Sequence, residues 1–225
     1  MIEIQNLTKI YYRRQEPVYA LNNVSLEFEK GCFYAITGRS GSGKTTLMLS
    51  IGGLIKPSKG TIKINGKNLY DYSQKDLAMY RNKTVGFVLQ SFNLVPYLSA
   101  LENVMIPMLM QNRSNGQLQE RAIALLGKMD LSKRKYFLPR ELSVGQQQRV
   151  AIARALANDP EIILADEPTG NLDPGLSAEI LDILKDLNEQ ENKTVIIVTH
   201  DPRAALRAKK KMKLAEGSLI SEEEN

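Results

Sequence analysis

Hydrophobic and polar positions follow two different rhythms along this chain. Short apolar runs closed by turn-forming residues predict strands over 23–30 (NVSLEFEK), 32–38 (CFYAITG), 84–90 (TVGFVLQ), 161–167 (EIILADE) and 194–200 (TVIIVTH). Between them, apolar residues recurring at helical spacing predict helices over 45–54, 117–129, 146–159 and 175–190. The stretch 60–70 reads as a hairpin that turns at Asn65-Gly66. Strands alternating with helices imply an α/β fold with a mostly parallel sheet covered on both faces. From about Tyr97 to Asp159 the strand rhythm stops, so 97–159 is expected to be a helical subdomain inserted into one domain spanning 1–225.

Three of the strands run into polar signals: a glycine-rich loop after 32–38, Asp166-Glu167 after 161–165, and His200-Asp201 after 194–199. If the strands are parallel, these ends share the carboxyl edge of the sheet, where α/β folds bind ligands. The loop Gly38-x-x-x-x-Gly43-Lys44-Thr45 follows a strand and opens a helix, the context a phosphate-binding loop needs. Its glycines let backbone N–H groups turn toward phosphate oxygens, and the helix start adds a positive dipole end. Gly38, Arg39, Ser40, Gly41, Ser42 and Gly43 are therefore expected to cradle phosphates, with Lys44 reaching the β- and γ-phosphates. The Thr45 hydroxyl would ligate magnesium, and Thr46 would touch the α-phosphate side. The motif marks a nucleotide without naming the reaction.

On the same edge, Asp166 suits a carboxylate that holds magnesium, and Glu167 one that orients or deprotonates an attacking water. In isolation such a pair would equally suit a turn or helix start. His200 is the only histidine; its imidazole can reach a γ-phosphate from that edge, and the competing reading is a structural histidine. Gln90, at the end of the strand 84–90, can touch both magnesium and water, or be a plain strand-end amide.

Composition narrows the class. The 225 residues are 43% hydrophobic, enough for a proper core. No apolar run approaches the roughly 18 residues that span a bilayer, and the first ten residues carry no apolar leader core. A single cysteine, Cys32, has no disulfide or metal-site partner in the chain, which points to the cytosol. Thirty basic against 25 acidic residues give a net charge of +5, a mild excess compatible with an anionic membrane face, nucleic acid or an ordinary soluble protein. The densest basic run, Arg207–Lys213, reads as a solvated helix end.

Taken together, these pieces resemble the nucleotide-binding subunit of an ATP-binding-cassette (ABC) transporter over nearly the whole chain. GRSGSGKT is similar to the Walker A motif, Gln90 to the Q-loop, LSVGQ (142–146) to the signature, IILADE to the Walker B, NLD (171–173) to the D-loop and His200 to the switch histidine, all in the family's order. QSFNLVPYLSALENV and VAIARALANDPEIILADEPTGNLD are most like the lipoprotein-release and macrolide-export class; antimicrobial-peptide exporters carry similar cassettes.

The resemblance implies a P-loop NTPase core with an N-terminal antiparallel β portion and a helical subdomain carrying the signature. It also implies an ATPase that uses ATP and Mg2+, forms a homodimer or close-paralogue dimer around two ATPs, and powers a separate membrane permease in trans. That permease would hold it on the cytoplasmic face of the membrane and make all cargo contacts, and no nucleic acid is expected. A cell-division cassette that drives its partner mechanically is the alternative. Tyr11 fits the family's adenine-stacking aromatic, with Tyr12 as fallback. Ser143 with Gln146 forms a capping box, so the helix after it offers free N–H groups as a second anion site. The family arrangement turns Ser143, Gly145 and Gln146 toward the other protomer's γ-phosphate and gives Asp173 a dimer contact. Val144 departs from the usual glycine and adds bulk where that phosphate approaches. The apolar stretch Phe92, Leu94, Val95, Tyr97 and Leu98 is either permease-docking surface or subdomain core.

Overall fold

The computed structural model describes residues 1–111 and 114–224. In chain order the elements are β1 (Ile2–Arg13), β2 (Glu16–Phe28), β3 (Phe33–Thr37), α1 (Lys44–Ile51), β4 (Lys59–Ile64), β5 (Lys67–Asn68), α2 (Gln74–Lys83), β6 (Val85–Leu89), α3 (Ala100–Met105) and α4 (Asn115–Lys128). They continue with α5 (Val144–Ala155), β7 (Ile162–Asp166), α6 (Pro174–Glu189), β8 (Thr194–Thr199), α7 (Pro202–Ala205), β9 (Lys210–Ala215) and β10 (Ser218–Glu224).

Two sheets result. An antiparallel one runs β2-β1-β4-β5, and a six-stranded one runs β10-β9-β3-β8-β7-β6, parallel from β9 to β6. Strand alternation explains how the second sheet is covered. Ala35, Ile163, Ala165, Val195 and Ile197 face a core completed by α3, α4, α5 and α6. Tyr34, Ile36, Leu164, Ile196 and Val198 face a second core with α1, α2 and the antiparallel sheet. Being apolar on both faces, these strands read as unbroken hydrophobic runs. Residues 97–159 carry α3, α4, α5 and, among the described residues, no strand; their buried side chains run without a break into the first core.

Several expectations needed correction. The strand expected over 23–30 begins at Glu16, and β1 went unanticipated because register shifts at three places break its alternation. The helix expected to reach residue 54 stops at Ile51: a Cβ on Gly52 would sit 2.3 Å from the Phe87 ring, and Gly53 takes a φ of 68°. Arg207–Lys213 is no helix end. Lys210–Lys213 lie in β9, with Met212 buried and β10 opposite them, and Lys210 pairs with Glu29 while Lys209 pairs with Glu224, so a paired strand replaces a solvated helix. Polar α2 was also missed; Ser73 caps it, and only Leu77 and Tyr80 anchor it in the core. The turn at Asn65-Gly66 is as expected, with φ of 49° and 81°.

Candidate functional site

Strand register brings the chemistry-bearing ends together. Thr37 pairs with Thr199, and Asp166 pairs with Val198 on one side and Leu89 on the other. Gly38, His200, Glu167 and Gln90 therefore leave the sheet along one edge.

The phosphate loop is braced from behind by two other elements. Gly38 has a φ of 153° and lies so close to the Leu214 carbonyl that a Cβ would approach it to 2.3 Å. Gly43, at φ 99°, is pressed against the Ala20 carbonyl, where a Cβ would come to 2.2 Å. The turn between β9 and β10 adds a bond from Gly217 N–H to Ser42 O at 3.2 Å. Arg39, Ser40 and Gly41 form the exposed crest, whereas Ser42 is buried with an unpaired hydroxyl. Lys44 folds back over the loop and donates to Gly38 O at 2.8 Å and Arg39 O at 3.0 Å. Helix α1 starts behind Gly43 with no side-chain cap and no acidic residue in its first turn. Its leading N–H groups are thus open to an anion, and half-buried Thr46 sits in that turn.

The carboxylates sit one residue apart but in different settings. Thr45 Oγ1 donates to Asp166 Oδ1 at 3.2 Å, joining two residues 121 positions apart in the sequence. Burial pushes the Asp166 carboxyl above its ordinary value; the Thr45 hydrogen bond opposes that, the neighbouring Glu167 charge adds to it, and Lys44 lowers it. A partly buried, under-compensated carboxylate of this kind favours a cation beside it. Glu167 has a φ of 45°, unusual for a side chain of its size, and strain of this kind clusters at functional sites. Its Oε2 accepts from Thr199 Oγ1 at 3.2 Å and from His200 N–H at 3.4 Å, and Oε1 lies 2.7 Å from His200 Nδ1. Thr199, fully buried, was not foreseen; its only signal was its place before His200 at the strand end. Gln90 is exposed, its amide lies alongside Gly170, and its carbonyl accepts from Asn171 at 3.1 Å.

Tyr11 and Tyr12 are separated by register. As neighbours on β1 they leave opposite faces of the hairpin, Tyr11 opposite Val18 and Tyr12 opposite Pro17, and the Lys9 ammonium lies 5.1 Å from the Tyr11 ring centre. The Leu21 side chain of β2 lies close to Gly43.

A second group forms around the starts of α5 and α6. Ser143 Oγ accepts from Gln146 N–H at 3.3 Å and Gln146 Oε1 from Ser143 N–H at 3.1 Å, the expected capping box. Val144 is the first residue of α5, without a positive φ, so its side chain needs no strain; the N–H groups of Val144 and Gly145 stay outside the box. Gly145 is buried, and a Cβ on it would approach Leu176 to 3.0 Å, so its missing side chain serves close packing of α5 on α6. Asp173 caps α6, accepting from Gly175 and Leu176 N–H groups at 2.9 and 3.0 Å, an intrachain task the sequence did not announce. Gln148 donates to Pro168 O at 2.6 Å and so ties α5 to the segment behind Glu167.

A family model for the ABC transporter matches residues 21–170. The chain belongs to the ABC transporter family. Within that family it is an ATP-binding cassette, an ATPase. The macrolide export ATP-binding/permease protein MacB of Hyphomonas neptunium is 44% identical over 225 residues, covering 100% of this chain and 35% of that protein, so the chain spans about a third of its length. The lipoprotein-releasing system ATP-binding protein LolD of Syntrophus aciditrophicus is 42% identical, covering 98% of this chain and 99% of that protein. Among solved structures, the ATP-binding cassette MJ0796 of Methanocaldococcus jannaschii, a dimer in a post-hydrolysis state bound to ADP and Pi, has a TM-score of 0.93 at 42% identity, covering 100% of this chain and 98% of that one. The antiparallel sheet, six-stranded sheet and helical stretch described above are thus those of an ABC cassette.

Proposed function

We propose that this ABC cassette closes head to tail with a second copy or a close paralogue around two ATP molecules, and that hydrolysis drives a separate membrane permease of the export type. The observation that carries this reading is a site in two parts. The phosphate loop, Asp166 and Glu167 converge at one sheet edge, while α5 presents a second, exposed, anion-ready helix start on different elements. The dimeric state of the MJ0796 cassette with ADP and Pi supports it.

In this reading Tyr11 stacks the adenine, and Gly38, Arg39, Ser40, Gly41, Ser42 and Gly43 turn N–H and hydroxyl groups to the phosphates, joined by Thr46. Lys44 exchanges the Gly38 and Arg39 carbonyls for the β- and γ-phosphate oxygens. The Thr45 hydroxyl beside the Asp166 carboxylate, with the Gln90 amide oxygen near the same edge, is an all-oxygen donor set of the kind magnesium takes. These oxygens would hold magnesium, which when bound would supply positive charge to the phosphoryl oxygens. Glu167 accepts the proton of the attacking water, and His200 orients Glu167 and the γ-phosphate. Ser143, Gly145 and Gln146 meet the partner's γ-phosphate, and Asp173 fixes the α6 start next to them. Residues 97–159 act as the inserted helical subdomain that carries this surface.

The names of the relatives, macrolide export and lipoprotein release, favour export over a cell-division cassette. Among the described residues no helix is long and apolar enough to cross a membrane, so a permease in trans supplies the membrane path and the cargo contacts, and holds the cassette at the cytoplasmic face. Tyr97, 78% exposed, is the part of the segment after Gln90 best suited to dock it, whereas Leu94 packs on the core.

Mixing two crippled chains tests the shared site. Glu167→Gln and Ser143→Ala chains each turn over slowly alone. In a mixed dimer, one pocket combines the intact Glu167 of one chain with the intact Ser143 of the other. ATPase activity of the mixture should therefore exceed the sum of the separate activities several-fold; a purely additive result would remove the two-chain site. The Val144 side chain, 45% exposed at the helix start, stands in the path of the partner's phosphate. Val144→Gly should lower the ATP concentration for half-maximal dimerisation by about threefold, a gain of roughly 0.7 kcal/mol. Light scattering against ATP concentration reads this directly, and an unmoved midpoint clears Val144 of hindering closure.

A further inference from the structure

The segment that follows Gln90 has an unusual architecture. Residues 92–98 belong to no strand or helix, so their backbone groups have no ladder of their own. Two side chains from the helical stretch supply the missing partners. Asn103, fully buried on α3, accepts from Val95 N–H at 2.8 Å and donates to Val95, Leu98 and Ser99 carbonyls at 3.2, 2.9 and 3.0 Å. Arg154, in the last turn of α5, donates to Asn93 O at 2.6 Å and Phe92 O at 2.5 Å.

The second clamp is the more telling. Phe92 and Asn93 are consecutive residues in the left-handed region, with φ of 57° and 50°, a conformation phenylalanine seldom adopts. Their two carbonyls fall within reach of one planar guanidinium, whose fork holds both at once. Among the described residues no carboxylate pairs with Arg154, so its half-buried charge is satisfied by these carbonyls alone. Burial lowers its pKa, a sign that the group has given up water for this contact. Arg154 sits on the same helix as Ser143, roughly 16 Å along its axis. The helix therefore grips the Gln90 segment at one end and offers its capped start at the other, with Gln148 holding Pro168 between them.

We propose that Arg154 is a positioning residue for ATP hydrolysis: it locks the Gln90 segment to α5, so that Gln90 reaches its working place only when α5 is in register. The proposal rests on the reading that Gln90 acts at the nucleotide. It assigns Arg154 no contact with ATP and no contact with a permease.

A double-mutant cycle on the full chain, without a permease, tests it. Arg154→Gln should lower kcat about tenfold, with nucleotide affinity in excess chelator changed less than about twofold. Arg154→Lys, which keeps the charge but offers a single point of contact, should recover part of kcat. On a Gln90→Ala background, Arg154→Gln should cost less than about twofold more, because the residue it positions is already gone. The same factor in both backgrounds would overturn the proposal while leaving the role of Gln90 intact. A normal kcat in Gln90→Ala would overturn the proposal and the role of Gln90 together. A parallel fall of affinity and kcat in both Arg154 variants would mark Arg154 as plain framework and also overturn it.

Discussion

Glu167→Gln is expected to reduce kcat for ATP by about a hundredfold to a thousandfold, with ATP affinity changed by less than about threefold. The substitution keeps size and hydrogen-bonding shape. A glutamine oxygen can still accept from Thr199 Oγ1 and His200 N–H, and the left-handed backbone at φ 45° strains glutamine no more than glutamate. What disappears is the negative charge and the ability to take a proton from water. Because the phosphate loop, Thr45 and Asp166 are untouched, nucleotide should still bind, and the closed dimer should accumulate instead of turning over. Single-turnover kinetics with radiolabelled ATP, alongside gel filtration in ATP, measure both halves. Turnover within about threefold of the unaltered chain would remove Glu167 from the chemistry.

Gly43→Ala should weaken ATP binding by more than about a hundredfold, a loss of roughly 3 kcal/mol. Two costs meet at this position. A φ of 99° is open to glycine and costly for alanine, and the added Cβ would fall 2.2 Å from the Ala20 carbonyl of β2. A backbone oxygen cannot swing aside as a long side chain can, so the loop itself must move. That displaces the start of α1, whose open N–H groups hold the phosphates in the proposed function. Gly41→Ala is the internal control. Its φ of 78° carries the same kind of strain, but nothing lies within 4 Å of the added methyl, so only about 1 kcal/mol is at stake and affinity should fall by less than about tenfold. Calorimetric titration separates the two variants, with thermal melting to show that both fold. Equal losses in the two would mean that close approach to β2 is irrelevant to the loop.

Much of the site could be read in advance because its parts are local. The phosphate loop, Asp166-Glu167 and the Ser143–Gln146 box are each defined by residues within a single turn, where spacing alone sets geometry. The main strands were equally visible, since burial on both faces leaves unbroken apolar runs such as Thr194–Thr199. Elements whose character depends on distant neighbours were not. Strand β9 carries three lysines, Lys210, Lys211 and Lys213, while Met212 and Leu214 anchor it in the core, and it became a strand by lying between β3 and acidic β10. Helix α2 is mostly polar and buries only Leu77 and Tyr80.

The amino-acid order by itself determined a glycine-rich loop between strand and helix, two carboxylates at a strand end and a mostly parallel α/β sheet, because these follow from short-range stereochemistry and periodic burial. Tertiary structure alone decided that Leu214 and Gly217 brace the loop 38–43, and that Gly145 is used against Leu176. It also decided that Arg154 holds the segment behind Gln90. Each of these is a contact between residues far apart in the chain. Such contacts depend on register and on the direction in which a side chain leaves its element, and neither quantity exists until the sheets and helices have packed.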